Sequence, residues 1–561
     1  MLRTVFPAGR GGRYALAAAS LAVALSAVGG GNAMAAGHAP GALLPVVVRT
    51  DHGLVRGFHQ HGAREFLGIP YAAPPTGANQ WRPPQPQRPW RGIRPATKPG
   101  HDCAQVGSIA TGVLTTSTFE NCLFLNVYTP PRAASRLLPV MVWIHGGGFT
   151  GGAGRIYDGA MLAAREHVIV VTINYRLSAF GFLALPSLDR ESTDDSSGDY
   201  GLMDQQSAMR WVQNNAFAFG GNPSNVTIFG ESAGGASVCA NMASPTALGL
   251  FSRAIAESGC IFPAQTRRAA QRQGATLARK LGCTNPATAA ACIRTRPAKA
   301  ILKAEPSAGL SWGPVAGGFT LPVSPIKAFQ TGRYVHVPLL QGSNLDEGEF
   351  FVGIEFDLLA GHPLTAAQYP KVVKGQFGAT AGKAVLAHYP LAKFPSPDLA
   401  YAQILTDSQF SCPALLTDIL TQHSGSYAYE FSDPHPPNDF HVKFSFPLGP
   451  AHSTELQYVF GRIPFLDTIP PFTPGQFALS AQMMGYWTRF AATGNPNGGG
   501  APRWLRFGGG QPQIQELVPK ATAPEAEAVF AGAHQCAFWA TIEGPARRGA
   551  GVTGLPRLST R

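Results

Sequence analysis

Charge is scarce in this 561-residue chain, where Asp, Glu, Lys and Arg together make up 14% of the residues against 45% apolar. That balance excludes a disordered, solvating polymer and allows a large buried core. The charge that is present leans basic, +12 at neutral pH, but apart from pairs such as Arg267-Arg268 and Arg547-Arg548 it is not gathered. Without a basic stripe interleaved with aromatics, a nucleic-acid partner is not expected, and the positive balance is left to solubility or to attraction towards anionic cell surfaces. None of the eight cysteines forms a C-x-x-C pair, which argues against zinc, and no G-x-x-x-x-G-K-[ST] loop is present to cradle a phosphate. No metal or organic cofactor is expected.

Long apolar runs are equally scarce, and the one near the start is short for a membrane span. Arg3, Arg10 and Arg13 precede "YALAAASLAVALSAV", and an A-x-A site follows at Ala33 to Ala35. Residues 1–35 therefore read as a secretory signal, whose removal takes the formal charge from +12 to +9. Export, to a periplasm or out of the cell, favours disulfides over free thiols.

From Val46 to Gly259, strand-like runs ("LLPVMVWIH", "HVIVVTINY", "NVTIFG", "FSRAIAES") alternate with helix-like ones such as "GLMDQQSAMRWVQNNA". Such alternation implies βαβ units and a largely parallel sheet covered by helices on both faces, an α/β class whose active sites lie at the carboxyl ends of the strands. Further on, "HVPLLQGSN" and "SGSYAYEFS" read as strands, "HVKFSF" as strand-like, and Tyr369 to His388 and Ser480 to Thr493 as helices.

The pattern G-x-S-x-G occurs twice, around Ser232 and around Ser311. A nucleophile elbow needs a buried strand, a sharp turn and a helix starting at the serine. "NVTIFG" before Ser232 and the small, proline-free "SAGGASVCANMAS" after it meet that need. Ser311 follows no strand, and Pro314 stands where its helix should be under way. Ser232 is thus the candidate nucleophile.

A nucleophilic serine needs a histidine base, itself oriented by an acid, and in the fold that carries a nucleophile elbow the chain order is Ser, acid, His. Acid candidates are Asp346, Glu347 and Glu349 in "LDEGEF", where three carboxylates in one loop also fit a solvated turn. Histidine candidates are His362, His388, His423, His435, His441, His452 and His534. His452 stands out, placed in a loop of small residues ahead of an apolar run. The three glycines of "WIHGGGF", directly after a strand, can turn backbone amides outward towards a developing oxyanion.

With these residues in place the chain resembles the type-B carboxylesterases, the α/β-hydrolase family that includes carboxylesterases, fungal lipases and cholinesterases. The likeness rests on "FLGIPYAAPPTG", "ENCLFLNVYTP", "VMVWIHGGGFTGG", "VTINYRLSAFGFLA", "GDYGLMDQQSAMRWVQNNAFAFGGNPSNVTIFGESAGGAS", "GSNLDEGEFF" and "AHSTELQYVFG". It implies an α/β-hydrolase domain over residues 36–545, whereas the basic tail at 546–561 is expected, as a chain end, to be disordered. It implies Ser232 as nucleophile, Glu347 as acid and His452 as base, with the amides of Gly147, Gly148 and Ala233 as oxyanion donors. Glu231 matches the family's buried glutamate, and Ser258 a serine that steadies the acid and histidine. The implied disulfides are Cys103 with Cys122, Cys283 with Cys292, and Cys412 with Cys536; Cys239 and Cys260 remain, as thiols or as a fourth bridge.

The departures narrow the function. The loop between Cys103 and Cys122 contains no tryptophan, where cholinesterases hold the choline cation on one. Ser178 and Gly317 replace the usual Gly and Asp. Leu310 and Trp312 fall near the family's acyl-pocket segment. The expected activity is hydrolysis of a small-molecule carboxylic ester through an acyl-enzyme, by an exported protein. The alternatives are a long-chain lipase of the same family, or a catalytically silent binding protein on the same fold.

Overall fold

The computed structural model describes residues 46–131, 136–261, 264–306, 310–437, 443–461, 471–508 and 510–548. The expected signal segment lies outside them, as do residues 549–561 of the expected tail. A helix over Cys536–Arg548 takes in the first three residues of that tail.

Among the described residues, eleven strands build the main sheet. In chain order they are β1 (Phe58–Gln60), β2 (Ala63–Pro70), β3 (Phe124–Thr129), β4 (Leu138–Ile144), β5 (Ile169–Ile173), β6 (Gly221–Glu231), β7 (Arg253–Glu257), β8 (Leu339–Asn344), β9 (Tyr427–Phe431), β10 (Gln513–Leu517) and β11 (Ala523–Ala526). Their order across the sheet is β11-β10-β9-β8-β7-β6-β4-β5-β3-β2-β1. From β5 to β10 every pairing is parallel, and antiparallel strands finish both edges.

β4 illustrates how the sequence makes this sheet. Successive side chains of a strand point to opposite faces, and both faces here are covered, so the strand reads as an unbroken apolar run. Val140, Val142 and Ile144 enter the core on one face, Met141 and Trp143 the core on the other. The first core also receives Met209, Val212 and Phe219 of helix α1 (Tyr200–Phe219) and Val238 and Met242 of α2 (Ala233–Ala243). Leu479, Met483, Trp487 and Phe490 of α3 (Pro474–Thr493) enter the second. α3 begins six residues before the start read from the apolar pattern. Thr473 caps it reciprocally with Gln476, and Pro474 occupies the first helical position.

"HVKFSF" forms no strand over its described residues 443–446. Its alternating rings serve packing in an irregular segment: Phe444 lies where a side chain on Gly353 would be, and Phe446 joins the apolar cluster of Val352 and Tyr401.

Four disulfides close the chain on itself: Cys103–Cys122, Cys239–Cys260, Cys283–Cys292 and Cys412–Cys536. The second pairs the two cysteines left over by the family pattern. Beside the fourth, the buried His534 imidazole lies between Asp407 (2.8 Å) and Glu430 of β9 (2.6 Å). Burial works against its charge, but the two carboxylates prevail and push its pKa up to about 10. The disulfide ties the start of the carboxy-terminal helix to the helix that Cys412 opens, and two residues earlier the imidazole ties the chain to β9.

The bridge of 124-residue separation removes more disorder from the unfolded chain than the bridge of 9-residue separation. Replacing Cys412 and Cys536 together by serine should cost about 4 to 5 kcal/mol, against about 2 to 3 kcal/mol for Cys283 and Cys292. Thermal melts of the two double variants check the ranking.

Candidate active site

Three neighbouring strands end level with one another. Ile144 of β4 lies opposite Gly230 of β6, and Glu231 of β6 opposite Glu257 of β7. The residues that follow each strand are therefore delivered to one place. After β4 comes the glycine loop, after β6 Ser232, after β7 Ser258, and three residues after β8 Glu347.

Ser232 has φ 58° and ψ −123°, a backbone region that non-glycine residues rarely adopt, and α2 starts at the next residue. Its N–H donates to the Glu257 carbonyl (2.9 Å). The turn is too crowded for side chains on its flanks. A Cβ at Gly234 would stand 2.0 Å from the Ile144 carbonyl oxygen, and one at Gly230 would stand 2.5 Å from it.

In the glycine loop, Gly147 and Gly148 have φ of 94° and 61°. The Gly147 carbonyl accepts from the N–H groups of Thr150 (3.1 Å) and Gly151 (3.0 Å), on the side away from its own peptide's N–H. In a planar trans peptide the next N–H, that of Gly148, points the opposite way. Gly147 and Gly148 line the same cavity as Ser232. Ala233 contributes the first residue of α2, where backbone N–H groups have no partner within the helix.

His452 and Glu347 meet across 105 residues of chain, with imidazole Nδ1 2.5 Å from Glu347 Oε2. Both side chains are buried. The other Glu347 oxygen accepts from the Asn344 N–H (2.8 Å), and the Asn344 amide donates to the Ala451 carbonyl (2.9 Å), so the end of β8 holds both loops. Ser258 lies beside Glu347 and favours its charged form, without a hydrogen bond of good geometry. Asp346 and Glu349, the other acid candidates, do not reach the imidazole. Asp346 holds the Pro450 carbonyl through its N–H, and Glu349 accepts from the Gly449 N–H (2.7 Å). Far from forming a solvated turn, Glu347 and Glu349 are both buried.

The second imidazole nitrogen, Nε2, lies 3.0 Å from Glu231 Oε1, which also accepts from the Ser453 hydroxyl (2.7 Å). Among the described residues no hydrogen bond joins Ser232 to His452, although both line the same cavity. The rings of Phe351 and Phe410 pack on the imidazole at 4.8 and 5.0 Å. Burial in this apolar setting lowers the His452 pKa, with the Glu231 charge acting against it. Burial pushes the carboxyls of Glu231 and Glu347 up to about 8.

Two cavities adjoin at Ser232. The larger, about 710 Å³, is lined by Ser232, Glu231, His452, Phe350 and Phe351, and by Leu310 and Trp312. The smaller, about 270 Å³, runs past Gly148, Ala236, Ser311 and Trp312. Ser311, rejected as a nucleophile, is thus a wall residue. The pattern reading missed two acids beneath the site, Glu257 and Glu455. Glu455 lies three residues after His452, a nearness in sequence that could have signalled it; both acids are buried with raised pKa values. Among the described residues one group has metal-ligand spacing, His61, Glu65 and Asp158, in and beside the hairpin of β1 and β2.

The sequence pattern of the carboxylesterase family matches residues 45–539. The chain is 36% identical over 465 residues to a para-nitrobenzyl esterase of Bacillus subtilis (strain 168), covering 80% of this chain and 90% of that protein. It is 33% identical over 519 residues to a fumonisin B1 esterase of Sphingopyxis macrogoltabida, covering 89% and 93%. It is 34% identical over 524 residues to carboxylesterase 1D of Rattus norvegicus, covering 82% and 88%. The solved structure of a thermophilic PNB esterase superposes with a TM-score of 0.74 at 33% identity, over 87% of this chain and 99% of that one. Likeness of this extent, in sequence and in fold, shows that the protein is a carboxylic-ester hydrolase of the α/β-hydrolase fold and belongs to the carboxylesterase family.

Proposed function

We propose that the protein is an exported serine esterase in which Ser232 is the nucleophile, His452 the base and Glu347 the acid. The observation that carries this reading is the His452–Glu347 hydrogen bond at 2.5 Å, in a cavity shared with a serine on a strained strand-to-helix turn. Ser232 attacks the ester carbonyl and His452 takes its proton at Nε2. His452 then gives the proton to the leaving alcohol, and water releases the acid from the acyl-enzyme. The amides of Gly147, Gly148 and Ala233 receive the oxyanion. Glu231 holds Nε2 in the resting arrangement, so the reaction includes a shift of the imidazole from Glu231 to Ser232.

Four disulfides support an oxidising compartment, as expected of a domain over residues 36–545 released from its signal. No described helix is long and apolar enough to cross a membrane. A preference for long acyl chains has one observation in its favour: Val106 and Leu359 line the cavity and are 48% and 76% exposed, leaving an apolar rim.

The test is hydrolysis of p-nitrophenyl esters from acetate to palmitate by the purified protein. We expect kcat to fall about 10⁶-fold in Ser232→Ala and about 10⁴-fold in Glu347→Gln. Turnover undiminished by Ser232→Ala would remove the assignment, and a rate peak at palmitate would make the enzyme a lipase. Only the neutral imidazole accepts a proton, so kcat/KM rises with pH through the His452 pKa. Burial sets that pKa below its ordinary 6.5, which keeps the base neutral into more acidic solution. The acid limb of a pH profile should therefore be centred below pH 6.5; a limb above it would mean that the neighbouring carboxylates outweigh burial.

A further inference from the structure

We propose that Glu305 is a recognition site for a cationic group, an ammonium or protonated amine, carried by the ester that Ser232 cleaves. The proposal rests on the esterase reading above and names the substrate class of that site. Apart from His452 and the neutral phenol of Tyr157, each ionisable residue described along the larger cavity is a glutamate, Glu231, Glu305 or Glu355, with no lysine or arginine among them. In a chain of formal charge +12 the cavity is thus an acidic interior in a basic protein.

The three glutamates are not equivalent. Glu231 is engaged with His452 and Ser453. Glu355 is exposed, where water and salt weaken any attraction. Glu305 is 7% exposed and still lines the cavity. Burial pushes its carboxyl up to about 7, against which the Ala179 N–H, donating to Oε1 (2.9 Å), and the Ser178 hydroxyl favour the charged form.

That support is rigid and close to the reacting centre. Arg176, two residues before Ser178, forms a buried bidentate pair with Asp204 of α1, both contacts 2.7 Å. The Ser178 N–H donates to the carbonyl of Phe149 (2.7 Å), the residue after Gly148. Ser178 has a φ of 51°, which a glycine would adopt without strain; the serine supplies a hydroxyl that glycine lacks.

A carboxylate held out of water with one oxygen fixed by a backbone amide gains most from a cationic partner. Trp312, on the same cavity, adds an aromatic surface that a cation also takes. Glu305 and Trp312 come from outside the loop between Cys103 and Cys122, whose Val106 lines the same cavity, and so the recognition does not depend on a tryptophan in that loop. An ester bearing a second, ionised carboxyl group meets like charge in the cavity and is disfavoured.

The experiment compares three p-nitrophenyl esters: 4-(trimethylammonio)butanoate, its uncharged isostere 5,5-dimethylhexanoate, and the anionic hemiglutarate. In the wild type kcat/KM should be about tenfold or more higher for the cation than for the isostere, chiefly through KM, and lowest for the anion. Glu305→Gln keeps an oxygen for the Ala179 N–H and should reduce the cation-to-isostere ratio about tenfold. Glu355→Gln should leave the ratio within about twofold.

Cleavage of the isostere with no preference for the cation overturns the subsite alone, whereas no cleavage of any ester overturns the esterase reading. A preference that survives Glu305→Gln assigns recognition elsewhere and overturns the proposal. If Glu305→Gln does not fold, competitive inhibition of the wild type decides. Choline should inhibit hydrolysis of the isostere about tenfold more strongly than 3,3-dimethylbutan-1-ol, and equal inhibition overturns the proposal.

Discussion

The backbone turn at Ser232 is the constraint on which the site depends. A residue held at φ 58° and ψ −123° is strained by about 1 to 3 kcal/mol and persists only where its surroundings leave no alternative. Those surroundings are backbone packed on backbone. Gly234 faces the Ile144 carbonyl, Gly235 the Glu257 carbonyl and Gly259 the Ser232 carbonyl, each at a distance that excludes a Cβ. The small residues of α2 let that helix lie against β4 and β7, and the level ends of β4, β6 and β7 then present the loops that carry the chemistry.

Around this turn the protein gathers ionisable groups that it uses sparingly elsewhere. Glu231, Glu257, Glu347 and Glu455 are all buried, with carboxyls raised by desolvation. Each has a defined partner: Glu231 the Ser453 hydroxyl, Glu257 the Trp487 indole, Glu347 the Asn344 backbone and Glu455 the Asn344 side chain. Such partners offset the cost of burial and fix where each oxygen points. An imidazole between two of these carboxyls is held in one orientation, as the proposed base requires.

What could be read from the sequence divides along distance in the chain. The elbow was legible because its strand, turn and helix are contiguous from Asn225 to Ser244, and glycine at 230 and 234 announces the crowding. The carboxylate that meets His452 was not, because Asp346, Glu347 and Glu349 are equal as residue types. Only the fold decides which meets a histidine 105 residues later, and family likeness had to choose Glu347. Glu305 left no mark at all: it closes a short helix, and its importance comes from an amide 126 residues earlier. Local patterns also misled. The alternating "HVKFSF" looks like a strand where its rings pack against Gly353 and Tyr401, and the start of α3 was hidden by a proline that belongs at a helix N-terminus.

The two cavities beside Ser232 differ in volume by more than twofold, about 710 against 270 Å³, and the glycine loop lies between them. An oxyanion bound in that loop, as proposed, would fix which face of the carbonyl meets the serine. The larger and smaller branches of an ester are then sorted between unequal spaces. For an ester whose stereocentre adjoins the reacting carbonyl or the alcohol oxygen, only one hand places its bulk in the roomy side with the carbonyl correctly presented. On the proposed mechanism, this asymmetry would make the enzyme a resolving agent for racemic esters.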